Sequence, residues 1–215
     1  CADALAARGK QARAAAIYDT LLAADHAAHI REAAFRGAAL LREPAEAIPV
    51  LVITLNADDP VLFRAALSAA REIGGGEGAT GLLANALSAL PPERRVPLMD
   101  VLAARGGAAA APALMAEATA DAAPSEVRVA ALAALTRVGH EPVIEVARGL
   151  LWSEDAALAK AARDTLSYFP GEAGDAVLLG LLESEEARER LLAIELIGKG
   201  GLHAPAGLLL QVARD

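Results

Sequence analysis

The stretch Asp58-Asp59-Pro60-Val61-Leu62-Phe63-Arg64-Ala65-Ala66-Leu67, closing at Gly74, decides the fold of this chain. Pro60 follows an acidic turn, and a proline is tolerated in a first helical turn because its missing N–H has no intrahelical acceptor. Behind it, Leu62, Ala65, Ala66, Ala69 and Ile73 recur on one helical stripe. Ahead of the turn, Ile48, Leu51, Val52 and Leu55 repeat at i, i+3, i+4 and i+7. The stretch predicts a hairpin of two helices joined by an acidic turn and stopped by glycine.

The phrase recurs along the chain. Ala123-Pro124-Ser125-Glu126-Val127-Arg128-Val129-Ala130-Ala131-Leu132 closes at Gly139, and Ser153-Glu154-Asp155 runs through Lys160-Ala161-Ala162 to Pro170-Gly171. Aligning the basic residue gives Arg31, Arg64, Arg95, Arg128, Lys160 and Arg188, spaced by 33, 31, 33, 32 and 28 residues. An interval that steady is the signature of a repeat architecture. The predicted helix pairs are 10–24 with 27–41, 44–56 with 60–73, 78–90 with 92–105, 108–119 with 124–138, 141–152 with 155–168, and 173–183 with 185–198. A last helix is expected over 203–214. The third copy departs from the pattern: Pro91-Pro92-Glu93-Arg94-Arg95-Val96-Pro97 lacks the turn aspartate, so its second helix is expected to kink or begin late.

Composition agrees with helix throughout. Of 215 residues, 56 are Ala and 33 are Leu, whereas aromatics are 3%, so the cost of helix is low and strand formers are scarce. One hairpin of this length cannot bury its own apolar face, and stacking neighbours supplies the core. The expected architecture is therefore all-α: an α-solenoid of about six helix pairs plus one helix, forming a single repeat domain over residues 1–215. Leu208-Leu209-Leu210 would leave an apolar face uncovered where an array carries a polar cap, which predicts a piece of a longer chain.

Charge and length exclude several functions. Lys+Arg 20 against Asp+Glu 28 leaves a net charge of −8, which opposes tracking of a phosphate backbone; no nucleic-acid partner is expected. The longest stretch without an ionisable charge, Gly78 to Pro92, has 15 residues, short of the roughly 20 needed to span a bilayer, so no membrane insertion is expected. Cys1 is the only cysteine, so an intrachain disulfide and Cys-pair zinc sites are absent. It reads as an ordinary helix cysteine or as the lipid-carrying first residue of an envelope protein.

The Asp-Pro-x-x-x-Arg turn of residues 59–64 and the Val127-Arg128-x-Ala-Ala-Leu phrase resemble HEAT repeats, in particular the short phycobilisome-lyase-like form, over residues 10–200. The opening, with Gly9-Lys10 and Ile17-Tyr18-Asp19, is similar to the start of HEAT arrays in large exported bacterial multidomain proteins. That likeness implies an exported or periplasmic location, with the cytoplasm left open. The aligned cations have two readings: a ladder receiving an anionic partner, or a set of side chains each reaching the aspartate of a neighbouring turn. The HEAT resemblance implies the second.

No catalytic, cofactor-binding or metal-binding residues are assigned. His26 and His29 are three apart beside Asp25, but Asp25 reads more simply as a helix N-cap, and His140 and His203 lie in distant repeats. Ser68, Ser88, Ser125, Ser153, Ser167 and Ser184 read as surface or capping residues. HEAT-like DNA glycosylases use Trp and Asp, and Trp152, Asp155 and Arg163 invite that comparison, but net charge and the single Trp oppose it; a bilin lyase is the other enzyme alternative. Trp152 reads as a plug in the seam between two pairs, Tyr168 and Phe169 as core or seam, and Glu186–Arg190 as an i,i+4 pair. The expected function is a non-catalytic scaffold whose second helices hold a protein partner or a neighbouring domain, the alternative being a structural spacer. Candidate partner-binding residues on that face are Arg71, Arg94, Arg137, Arg163 and Asp164, with Asp100 and Thr136 beside them.

Overall fold

The computed structural model describes residues 2–23 and 26–200. The described residues form thirteen α-helices and no strand. The chain divides into two compact units, residues 1–113 and 114–215.

The first unit holds α1 (Ala2–Ala6), α2 (Gln11–Ala23), α3 (Ala28–Leu40), α4 (Pro44–Asn56), α5 (Pro60–Glu72), α6 (Gly76–Asn85) and α7 (Pro92–Arg105). Consecutive helices pair, α2 with α3, α4 with α5 and α6 with α7, and the second helices also pack in succession, α3 on α5 on α7. Ala34 and Ala38 of α3 join Ala2, Ala14 and Tyr18 in one buried cluster. Ala39 of α3 and Ala65, Ala66, Ala69 and Ala70 of α5 are buried as well, and methyl-sized side chains let two axes approach toward the short end of the ~8–10 Å range. Larger side chains fill the rest: Leu51 and Leu55 of α4, Leu83 of α6, and Leu98, Met99 and Leu102 of α7 are fully enclosed. Residues 87–89 form a short 3₁₀ turn after α6, which carries Leu87 and Leu90 into the core.

In the second unit, α8 (Ala111–Thr119, begun in the first) is followed by α9 (Ser125–Val138), α10 (Val143–Leu150), α11 (Ala156–Tyr168), α12 (Glu172–Leu182) and α13 (Ala187–Gly200). The plan is the same. Here α10 pairs with α11, α12 pairs with α13, and α9, α11 and α13 pack in succession. The buried Ser167 hydroxyl of α11 donates to the Leu196 carbonyl of α13 at 3.3 Å. Gly139 ends α9 at φ 74°, ψ 35°, a left-handed stop that glycine adopts without steric cost.

Three features depart from the sequence reading. Residues 2–6 form a helix that periodicity did not reveal; Ala2 is buried, and Asp3 accepts the hydroxyl of buried Tyr18. Helix α7 starts at Pro92 and continues through Pro97 to Arg105. Pro97 sits early enough that it orphans only the carbonyl of exposed Glu93, and Pro49 occupies the corresponding place in α4. At α3 the N-cap residue is Ala27, with no side-chain cap. The expected cap Asp25, the helix over 203–214, Leu208–Leu210, Cys1 and His203 lie outside the described residues.

Candidate functional site

Two adjacent second helices of the second unit bound a groove. α9 contributes Val129, Ala133, Thr136 and Arg137, α11 contributes Ala161, Asp164, Thr165 and Tyr168, and the space between them is about 210 Å³. These residues meet because each set recurs at helical spacing on the flank facing the other helix. The floor is polar but satisfied. The buried Thr136 hydroxyl lies 2.8 Å from the Leu132 carbonyl and 3.2 Å from the buried Thr165 hydroxyl. The walls are aliphatic. At the rim stand Arg137, the Lys160–Asp164 ion pair at 2.5 Å and the Tyr168 ring, which is 59% exposed. The contact with Asp164 raises the Lys160 pKa.

Of the residues expected to meet a partner, Thr136, Arg137 and Asp164 come together in this groove. Arg163 points elsewhere in the same unit, its guanidinium 5.8 Å from the Trp152 ring centroid. In the first unit, Arg71 is exposed on α5 and Asp100 is exposed on α7, where it engages other groups of the protein. Arg94 is turned to the chain itself: it donates to the carbonyls of Leu55 (2.7 Å) and Ala57 (2.5 Å) and stacks 5.3 Å over Phe63. Tyr168 was expected in the core or seam and is on the surface, whereas Phe169 is buried. Trp152 does link pair α10–α11 to α13, because Arg188 also lies over it at 4.8 Å. It remains 44% exposed, an edge rather than a plug.

The aligned cations divide their work. Arg31 reaches across to Asp59, the N-cap of α5, at 2.6 Å, and holds that carboxyl below its usual range, helped by the Leu62 N–H. Arg95 and Arg128 instead cap the preceding helix, donating to the carbonyls of Leu90 (2.7 Å) and Ala118 (3.2 Å); Arg128 also lies 3.5 Å from Asp121. Lys160 pairs within its own helix. Near α13, Arg190 caps Ser184 and Glu185 through their carbonyls, and Glu186 pairs with Arg188 in place of Arg190.

Several ties had no readable signal in sequence. Arg36 and Glu72 form a two-pronged ion pair between α3 and α5, which lowers the Glu72 pKa. Arg105 donates to the carbonyls of Ala70 (2.9 Å) and Ile73 (2.8 Å) and to Thr80 (2.9 Å), so it caps the end of α5 from α7; burial lowers its pKa. The Glu77 carboxylate accepts the N–H groups of Ala108 and Ala109 at 3.1 and 2.8 Å. It sits where a Cβ on Gly107 would stand.

Among the described residues no group of three or more His, Cys, Asp or Glu is placed to hold a metal ion, and no helix is long and apolar enough to cross a membrane. No protein-family model matches this chain, and no curated protein matches it.

Proposed function

We propose that each unit is a run of HEAT-like repeats and that the chain is a non-catalytic scaffold, binding a protein segment or a neighbouring domain on its second helices. The successive packing of α3, α5 and α7, and of α9, α11 and α13, supports the repeat reading. The observation that carries the functional reading is the α9–α11 groove. Its aliphatic walls suit one apolar side chain, and its charged rim and exposed Tyr168 ring suit the flanking backbone and polar groups of an extended segment. The shifted ionisable groups also favour a scaffold over an enzyme. Asp59, Glu72 and Asp155 serve as ties between helices and do not converge on one pocket.

The test is a peptide-display selection on the immobilised chain, followed by affinity measurement on the enriched peptide. Ala133→Trp places an indole in the groove from an exposed position of α9. It is expected to weaken that peptide by about tenfold or more, the loss of one well-packed anchor. Equal binding to both proteins rejects the groove. The spacer reading gains from the internal use of Arg31, Arg94, Arg95 and Arg128, and a selection that enriches no peptide would favour it.

A further inference from the structure

Trp152 is the only tryptophan of the chain, and two helices each lay a guanidinium against it: Arg163 of α11 at 5.8 Å and Arg188 of α13 at 4.8 Å from the ring centroid. Two cations on one indole repel each other and call for counter-charge. Arg188 has one, its Nε donating to the Glu186 carboxylate at 2.6 Å. Arg163 makes no hydrogen bond or ion pair among the described residues, and its Nε is enclosed without an acceptor. The Glu195 carboxylate, which feels the Arg163 charge, is already held by Lys199 at 2.5 Å.

An enclosed guanidinium nitrogen without an acceptor is rare in folded proteins and asks for an explanation. Stacking on indole holds Arg163 in place but leaves its charge unneutralised. We propose that Trp152, Arg163 and Arg188 form a recognition site for an acidic segment of a partner protein. One carboxylate meets the terminal nitrogens of the two guanidinium groups from the open side, while the Arg163 Nε stays enclosed, and an adjacent apolar side chain rests on the exposed part of the indole. Charge selects this class of ligand. With Glu186 set against the two cations and Glu195 paired to Lys199, the cluster keeps one positive charge, which a single carboxylate balances and a phosphate dianion exceeds. A nucleic acid carries a charge on every phosphate and needs a row of cations, whereas this site offers two. This site is separate from the α9–α11 groove, so either can fail without the other.

The lone indole makes the test direct. Tryptophan emission of the full chain is followed while a blocked peptide of glutamates around a central leucine is added at constant ionic strength. A saturable change is expected, absent for the same peptide with glutamine in place of glutamate. Arg163→Gln should weaken binding about tenfold, as loss of a charge-assisted contact does. Arg188→Gln, on a side chain 60% exposed and therefore no threat to folding, should weaken it as well. No saturation, unchanged affinity in either variant, or tighter saturation by inorganic phosphate than by the peptide would overturn the proposal.

Discussion

The two units solve the same problem with different chemistry. In the first, Asp59 caps α5 by accepting the Val61 and Leu62 N–H groups at 2.9 and 3.2 Å, and its other oxygen takes the Arg31 guanidinium of α3. In the second, Asp155 caps α11 by accepting the Ala157 and Leu158 N–H groups at 2.8 and 3.2 Å, and its other oxygen takes the Ser125 hydroxyl of α9. The cap is the same to within a tenth of an ångström, while the tie to the preceding second helix comes from a guanidinium in one unit and from a hydroxyl in the other. The carboxylate is fixed by the helix it starts. The partner is free to vary, because either a guanidinium or a hydroxyl can donate to an oxygen already held in place.

The largest effect that sharpens the contrast comes from glycine. A Cβ on Gly37 of α3 would stand 2.3 Å from the buried Tyr18 ring, so Gly37→Ala should destabilise the chain by about 1–3 kcal/mol in urea unfolding, the range for overpacking. A neutral result would mean that the ring can move aside and that α1 and α2 are loosely held. Asp59→Ala removes a cap and an ion pair together, for an expected loss of about 1–2 kcal/mol. The same change at Asp155 should lower the unfolding midpoint by less.

Acid tests the two caps jointly. Both carboxyls sit below their unfolded values, through Arg31 in one case and Ser125 in the other. Their stabilisation is therefore fully present above roughly pH 5 and is lost as the pH falls through the folded values. Asp59→Ala and Asp155→Ala should each flatten the acid limb of a stability-against-pH curve, and an unchanged limb would place the acid sensitivity elsewhere.

Salt should separate the ties. A double-mutant cycle on Arg31 and Asp59, whose side chains are 28% and 29% exposed, is expected to give a coupling of about 0.5–1 kcal/mol, shrinking in molar salt. The cycle on Ser125 and Asp155 should hold its value in the same salt, and a parallel decline would erase the distinction. The smallest effect has the opposite sign. Gly180 in α12 is exposed, with no atom within 4 Å of an added Cβ, so Gly180→Ala should raise stability by about 0.5–1 kcal/mol.

Periodicity made the helix pairs legible, because apolar spacing and helix stops are local properties. It also brought Thr136, Arg137 and Asp164 to one groove, since residues on matching stripes of neighbouring second helices must face each other. It did not reveal what each cation holds. Arg31 does find Asp59, but Arg95 and Arg128 find carbonyls, and every residue carries a carbonyl, so no side-chain pattern marks the acceptor. Arg36 and Glu72 lie 36 residues apart, a pairing that only the packing of α3 on α5 creates. Trp152 shows the other limit. Its isolation in sequence suggested a filler, whereas its two cationic neighbours come from separate helices.

The alanines buried on α3 and α5 have a consequence for how these helices pack. A methyl group has no rotamers to freeze, so burying it costs backbone order and almost no side-chain freedom. Those positions therefore have no alternative side-chain arrangement to slip into, and a residue larger than serine introduced at any of them would act as a wedge.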